Sequence, residues 1–234
     1  MIRYDNVKQG SLEWFEIKWG KIGGTLSKGL FIDSETLFVD LLSQNLEEFE
    51  PTDSFESLDM ERGVDLEPFA LEYISTFTGI YFGITGWLQS EECSILGISP
   101  DGISDCEKYA TEIKCLSRKV HTKLLIDGIL PKEKLCQIIH YFTVNPKLEK
   151  LYFIAFRPES IKPFIKVFDR ESVIDLGWKT EVSVKQFGVK GNEIKPKIEK
   201  IVDYKTIEEW SKIAIVEAKK LEIKIEEKIN QLKF

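Results

Sequence analysis

Apolar residues recur at a helical period in several stretches of the chain and at a strand period in others. Leu37, Phe38, Leu41, Leu42 and Leu46 follow the 3.6-residue repeat and predict a helix over residues 33–49. A longer helix is predicted over 58–78, with Phe69, Tyr73 and Phe77 on one face and Glu67 inside it. Ser11 can cap a short helix that runs to residue 19. Residues 118–127 and 132–144 read as two more helices, broken between them by Gly128 and Pro131. Residues 206–232 form a Lys/Glu-rich amphipathic helix whose buried stripe is Ile207, Trp210, Ile213, Ala214, Glu217 and Leu221. Residues 79–91 and 94–99 are β-rich and punctuated by glycine, as two strands of a meander would be. Residues 103–116 supply a third strand with a polar turn at 105–108, and 151–157 and 164–168 are strands flanked by prolines. The Gly-rich stretch 21–29 is a turn or a loop that approaches phosphate, 50–57 reads as an acidic linker, and 170–203 carries no assignable pattern. Helices, a meander, helices, further strands and a closing helix together predict an α/β (α+β) fold, a central mixed β-sheet flanked by helices.

The chain of 234 residues, 43% hydrophobic, can bury one sizeable core. It is therefore read as a single domain over 1–234, with a C-terminal helical extension at about 204–234. No apolar run is long enough to span a bilayer, and Met1-Ile2-Arg3-Tyr4-Asp5 lacks the apolar stretch of a signal peptide. A cytoplasmic protein with no membrane partner is expected. Cys93, Cys106, Cys115 and Cys136 have no C-x-x-C spacing, and with 2 histidines in the chain they argue against zinc and iron–sulfur sites. They are expected to be ordinary thiols in or near the core. The net charge of −7 is unevenly spread: residues 1–107 carry 6 basic and 21 acidic side chains, residues 108–234 carry 26 and 18. This asymmetry points to a basic surface in the second half and to acidity in the first half that metal ions could neutralise in part.

The chemistry concentrates in Ser99-Pro100-Asp101-Gly102 and Thr111-Glu112-Ile113-Lys114-Cys115. Positions two apart on a strand share a face, so Glu112 and Lys114 point the same way while Ile113 points into the core behind them. Pro100-Asp101-Gly102 is turn chemistry that presents Asp101 at a strand end. Two carboxylates and an ammonium converging on a sheet edge can hold a hard divalent cation and activate a water, which is the chemistry of phosphodiester hydrolysis. Oxygen ligands favour Mg²⁺ or Mn²⁺ over zinc.

Pro-Asp followed by Glu-x-Lys resembles the PD-(D/E)XK nuclease signature. Around it stand Gln9-Gly10-Ser11-x-x-Trp14, then Lys18-Trp19-Gly20-Lys21-Ile22-Gly23-Gly24-Thr25. Further on come Met60-Glu61-Arg62-Gly63-x-x-x-Glu67-x-x-Ala70 and Gln137-Ile138-Ile139-His140-Tyr141. In this order, over about residues 9–157, the motifs resemble the YqaJ-like viral recombinase family, to which the lambda phage exonuclease belongs. The resemblance implies a restriction-endonuclease-like core. It implies Glu67, Asp101, Glu112 and the Ile113 carbonyl as metal ligands, two Mg²⁺ ions among them, Lys114 as the group that orients or activates water, and Gln137 as active-site support. It also places Lys18 and Thr25 where the family holds a terminal 5′-phosphate, with lysine in place of the usual arginine and threonine in place of the commoner serine.

The expected activity is metal-dependent hydrolysis of duplex DNA from its 5′ end, leaving 3′ single-stranded tails for recombination. The resemblance also implies a ring-shaped homotrimer and a single-strand annealing protein as partner. The competing expectations are a restriction-like or structure-specific endonuclease on the same fold, and a catalytically inactive DNA-binding or assembly protein. His140, Trp14 and Trp19 are read as packing residues, and Arg118, Lys119 and Lys123 as a solvated helix face that could touch DNA phosphates.

Overall fold

The computed structural model describes residues 1–32, 34–50, 58–177, 179–185, 194–200 and 203–232. The linker expected at 50–57 falls almost wholly outside the described residues.

Strand β1 (Ile2–Tyr4) leads into helix α1 (Leu12–Lys18), a 3-10 turn over Leu26–Leu30 and helix α2 (Ser34–Leu46). Helix α3 (Leu58–Thr78) follows, then the short strands β2 (Trp87–Gln89), β3 (Gly97–Ile98) and β4 (Gly102–Ile103) and the longer β5 (Tyr109–Lys114). Helices α4 (Arg118–Asp127) and α5 (Lys132–Val144) precede β6 (Lys150–Ala155) and β7 (Phe164–Phe168). The chain continues through β8 (Val173–Asp175), β9 (Lys179–Lys185), β10 (Ile194–Lys200) and β11 (Tyr204–Thr206) to helix α6 (Ile207–Leu232).

Local chemistry sets the helix ends. The Ser11 hydroxyl accepts the Trp14 N–H at 3.3 Å and opens α1. Gly128, at φ 64°, closes α4 in the left-handed conformation that glycine tolerates without a Cβ clash.

The central sheet has the order β4-β5-β6-β7. β5 and β6 run parallel while β4 and β7 pair antiparallel at the edges, so the sheet is mixed. A second sheet, β1-β2-β3, takes the first part of the expected meander. It joins the site region through the parallel bridge from Ile22 to Leu96. Residues 170–203, which carry no readable pattern, include β8 and the antiparallel pair β9–β10; β8 pairs with β11, which lies just beyond them.

Alternation along the central strands divides the core. Ala110, Leu151, Phe153 and Ala155 face α5 and α6 and pack with Ile138, Ile139, Phe142 and Trp210. Ile113 and Ile154 face the other way and pack with Ala70 and Ile74 of α3. The sheet is thus sandwiched between α3 on one face and α5 with α6 on the other. The inward face of α6 is Ile207, Trp210, Ser211, Ala214, Ala218, Leu221 and Ile225. Glu217, expected in that stripe, instead pairs with Lys220 at 2.7 Å, and Ala218 is the buried residue. On α3 the face bearing Phe69, Tyr73 and Phe77 is the exposed one, and the core takes Ala70 and Ile74.

The cysteines are all free; Cys93 and Cys136 are buried, Cys115 is half-buried and Cys106 is exposed. No helix among the described residues is long and apolar enough to cross a membrane.

Candidate active site

Asp101 sits in the turn between β3 and β4, and β5 returns antiparallel beside β4, with Gly102 opposite Thr111. This places Asp101 against the end of β5, where its Oδ2 accepts the Ile113 N–H at 2.5 Å. Ile113 turns its side chain into the α3 core and leaves only its main chain at the site. Glu112 and Lys114 project from the other face. Glu112 is almost fully buried. Its Oε2 accepts the Tyr141 hydroxyl at 2.6 Å, and its Oε1 is ion-paired with the Lys114 ammonium. Lys114 Nζ also lies 3.9 Å from Asp101 Oδ2.

Electrostatics tighten the group. Burial pushes the Asp101 carboxyl well up, the charge of Glu112 pushes it further, and Lys114 opposes both. Burial pulls the Lys114 ammonium down, but Glu112 and Asp101 more than reverse this and hold it charged. Glu67, on α3, is raised by burial, with Lys114 opposing and Glu112 adding. It therefore lies within electrostatic reach of the site, yet makes no hydrogen bond or ion pair among the described residues. Arg62, one turn earlier, ties α3 to the end of β5 by donating to the Cys115 carbonyl at 3.0 Å.

Among the described residues no three Asp, Glu, His or Cys side chains converge closely enough to cage a metal unaided. The donor set nevertheless fits a hard divalent cation. Glu112 Oε1 is buried with the Lys114 ammonium as its partner, and Asp101 and Glu67, both of raised proton affinity, feel its charge. Mg²⁺ is commonly held by one or two carboxylates, with water and substrate phosphate completing its shell. Glu112 and Asp101 would be its direct ligands, with the Ile113 main chain and Glu67 alongside.

A cavity of about 590 Å³ is walled in part by residues close in sequence to this group, and Asp101, Glu112 and Lys114 themselves do not line it. Lys18, Thr25 and Gln137 all line it, as do Trp14, Trp87 and Ser99. Ser99 is two residues before Asp101, and Gln137 is one turn before Tyr141, so the cavity wall and the carboxylate site share β3–β4 and α5. Gln9 reinforces the junction, its amide donating to the Thr85 and Pro100 carbonyls at 2.8 and 3.0 Å. The Trp14 indole N–H is fixed by the Gly86 carbonyl at 2.9 Å and Ser99 Oγ at 2.7 Å. Its ring carries the Lys18 ammonium 3.4 Å from the centroid. Lys18 makes no ion pair or hydrogen bond among the described residues, and burial lowers it to about 8. A half-buried ammonium without an ion pair, facing a cavity, is an anion site in waiting. Gln137 packs against the Gly24 backbone, where an added Cβ would lie 3.1 Å from its side chain.

His140 is a packing residue: it is fully buried, and its Nε2–H donates to the Gly97 and Ile22 carbonyls at 2.9 and 3.1 Å. Arg118, Lys119 and Lys123 are exposed. Sequence reasoning gave no role to Tyr141, although it quoted the residue, and overlooked Trp87 and Lys134. Lys134 is half-buried and lowered by burial, with Lys114 lowering it further and Glu112 and Asp101 opposing. The spacing of Lys134, Gln137 and Tyr141 along one helical face was the available signal.

The chain is similar in structure to the alkaline exonuclease LHK-Exo of Laribacter hongkongensis. The match has 18% identity, a TM-score of 0.68 and coverage of 95% of this chain and 96% of that one. The same enzyme in complex with dAMP matches at 18% identity and a TM-score of 0.69 over the same shares. A phage-related exonuclease of Haemophilus somnus 129PT matches at 10% identity and a TM-score of 0.51, covering 91% of this chain and 96% of that one. These likenesses establish a shared fold, that of the restriction-endonuclease-like nucleases. A search of curated protein sequences returns no match. The model of the YqaJ-like viral recombinase domain matches residues 13–147, more than half of the chain, and the chain belongs to that family.

Proposed function

We propose that the protein is a metal-dependent exonuclease that hydrolyses duplex DNA from the 5′ end, releases 5′-mononucleotides and leaves a 3′ single-stranded tail for recombination. The observation that carries this reading is the adjacency of two sites. The Asp101, Glu112 and Lys114 group shares the β3–β4 segment and α5 with the wall of a cavity in which Lys18 offers a half-buried ammonium without an ion pair. A hydrolytic centre paired with a phosphate anchor would select a chain end over an internal position. Family membership and the similarity to exonucleases support the same conclusion.

In this reading the 5′-phosphate rests on Lys18 and the Thr25 hydroxyl, with Gln137 at the mouth. Lys114 holds the attacking water in line with phosphorus, and its charge, secured by Glu112 and Asp101, stabilises the developing phosphorane. Tyr141 keeps Glu112 in one orientation. Two Mg²⁺ ions, or Mn²⁺ in their place, would supply Lewis-acid stabilisation of the scissile phosphate and the leaving 3′-oxygen. The proposal extends, on family resemblance, to a ring-shaped homotrimer in the cytoplasm working beside a single-strand annealing protein.

The test offers the protein a linear 5′-phosphorylated duplex and a closed circular duplex with Mg²⁺, with EDTA and Lys114→Ala as controls. The reading requires loss of the linear DNA alone and none in either control. Nicking of the circle moves the assignment to an endonuclease. Binding of both DNAs without cleavage leaves a DNA-binding protein.

A further inference from the structure

Helix α1 presents Trp14 and Lys18, four residues apart, to the cavity, with the ammonium stacked on the indole. Phe15, one residue on from Trp14 and so about 100° round the helix, and Trp19, the residue that caps its C-terminus, line the same cavity. Both rings are braced from the side. Phe49 meets Trp19 edge-on, with centroids 5.3 Å apart and planes at 68°. The Trp19 indole donates to the Glu47 carbonyl at 3.3 Å. Trp14 meets Phe15 edge-on at 4.9 Å and 74°, and Phe15 keeps 40% of its surface exposed. An edge-on neighbour fixes a ring while leaving a face open for a flat ligand. The cavity, at about 590 Å³, is far larger than a phosphate on Lys18 and Thr25 requires. It lies within the roughly 300–1,000 Å³ of pockets that take whole small molecules.

We propose that Phe15 and Trp19 form a stacking subsite for the nucleobase of the 5′-terminal nucleotide, whose phosphate is held on Lys18. This rests on the reading of Lys18 and Thr25 as the phosphate anchor. A nucleotide carries its phosphate and its base on one sugar, and α1 with its C-cap offers a cation and aromatic faces in the wall of one cavity. Stacking is tolerant of sequence because every base has a π-face, so the subsite serves an enzyme that must digest any sequence. It also offsets part of the few kcal/mol needed to unstack and unpair the terminal base.

The test needs no catalysis and is made without metal. The intact protein is titrated calorimetrically with dGMP and with 2-deoxyribose 5-phosphate, which share the phosphate and sugar but not the base. The wild type is expected to bind dGMP at least about tenfold more tightly, equivalent to about 1.4 kcal/mol. Trp19→Leu and Phe15→Leu keep apolar bulk without the ring, and each should shrink that preference while leaving 2-deoxyribose 5-phosphate unchanged. Lys18→Met should weaken both ligands alike. Equal affinity for the two ligands in the wild type, no binding of dGMP, or full retention of the preference in both leucine variants overturns the subsite. A Lys18→Met variant that binds 2-deoxyribose 5-phosphate normally overturns the phosphate anchor instead, while loss of the preference in the leucine variants would still support stacking.

Discussion

Lys18 carries a prediction that can be worked through from its surroundings. Burial lowers its ammonium from 10.5 to about 8, a penalty of about 3 kcal/mol on the charged form. In the DNA-free protein the anchor is therefore charged below about pH 8 and neutral above it. The discrimination between 5′-phosphorylated and 5′-hydroxyl ends, read as a ratio of kcat/KM, should be constant up to about pH 7.5. Between about pH 8 and 9.5 it should fall by about tenfold per pH unit as the charged fraction falls. Lys18→Arg keeps its charge throughout this range and should remove the decline. Stability moves the opposite way. The unfolded chain holds this proton up to about pH 10.5, so the folded state bears the penalty in full below pH 8 and sheds it between pH 8 and 10.5. Lys18→Met should accordingly stabilise the protein by up to about 3 kcal/mol at pH 7 in urea melts, while abolishing discrimination. A flat wild-type profile from pH 7 to 9.5, or an equal decline in Lys18→Arg, would refute the reasoning.

Other residues give sharper yes-or-no outcomes. Tyr141→Phe strips the hydroxyl from the buried Glu112 Oε2 and should cost about 1–3 kcal/mol in urea melts, with kcat falling at least about tenfold; wild-type kcat would show that Tyr141 does not orient Glu112. His140 is held neutral, its value lowered by burial to about 4, while the unfolded chain takes up this proton below about pH 6.5. Stability is therefore lost as pH falls through that window, by about 2 kcal/mol between pH 7 and 5; His140→Gln should lose this part of the slope. Gly97→Ala would place a Cβ 2.2 Å from the Trp87 ring, so a cost of about 1–3 kcal/mol is expected from overpacking, measurable as a lowered Tm.

The geometry of the central group was legible because it is local. The alternation of Glu112, Ile113 and Lys114 along one strand and the turn at Asp101 carry their geometry in the sequence, and the structure brings the three polar side chains together. Helix bounds were equally readable where a cap marks them, as at Ser11 and Gly128. Long-range pairing was not. No local pattern shows that β2–β3 and β4–β5 belong to different sheets, or that β9 pairs with β10 and β8 with β11. Along α6 the period of 3.6 drifts against a simple i, i+3, i+4 count, so Glu217 was taken for Ala218. The three aromatics of α3 share a face, as their spacing requires, but spacing alone cannot say that this face points outward. Tyr141 found its role only once the sheet and α5 were packed together, since the Glu112 it holds is remote in sequence.

The most direct test of the account follows label release from a duplex carrying a radioactive 5′-phosphate on one strand and a 3′ label on the other. The account predicts that with Mg²⁺ the 5′ label appears at once as a mononucleotide, while the 3′ label persists in a strand that shortens from its far end. Lys114→Ala should release neither. Prompt release of the 3′ label as a mononucleotide, or a ladder of internal fragments bearing the 5′ label, would contradict the pairing of a hydrolytic centre with a 5′-end anchor.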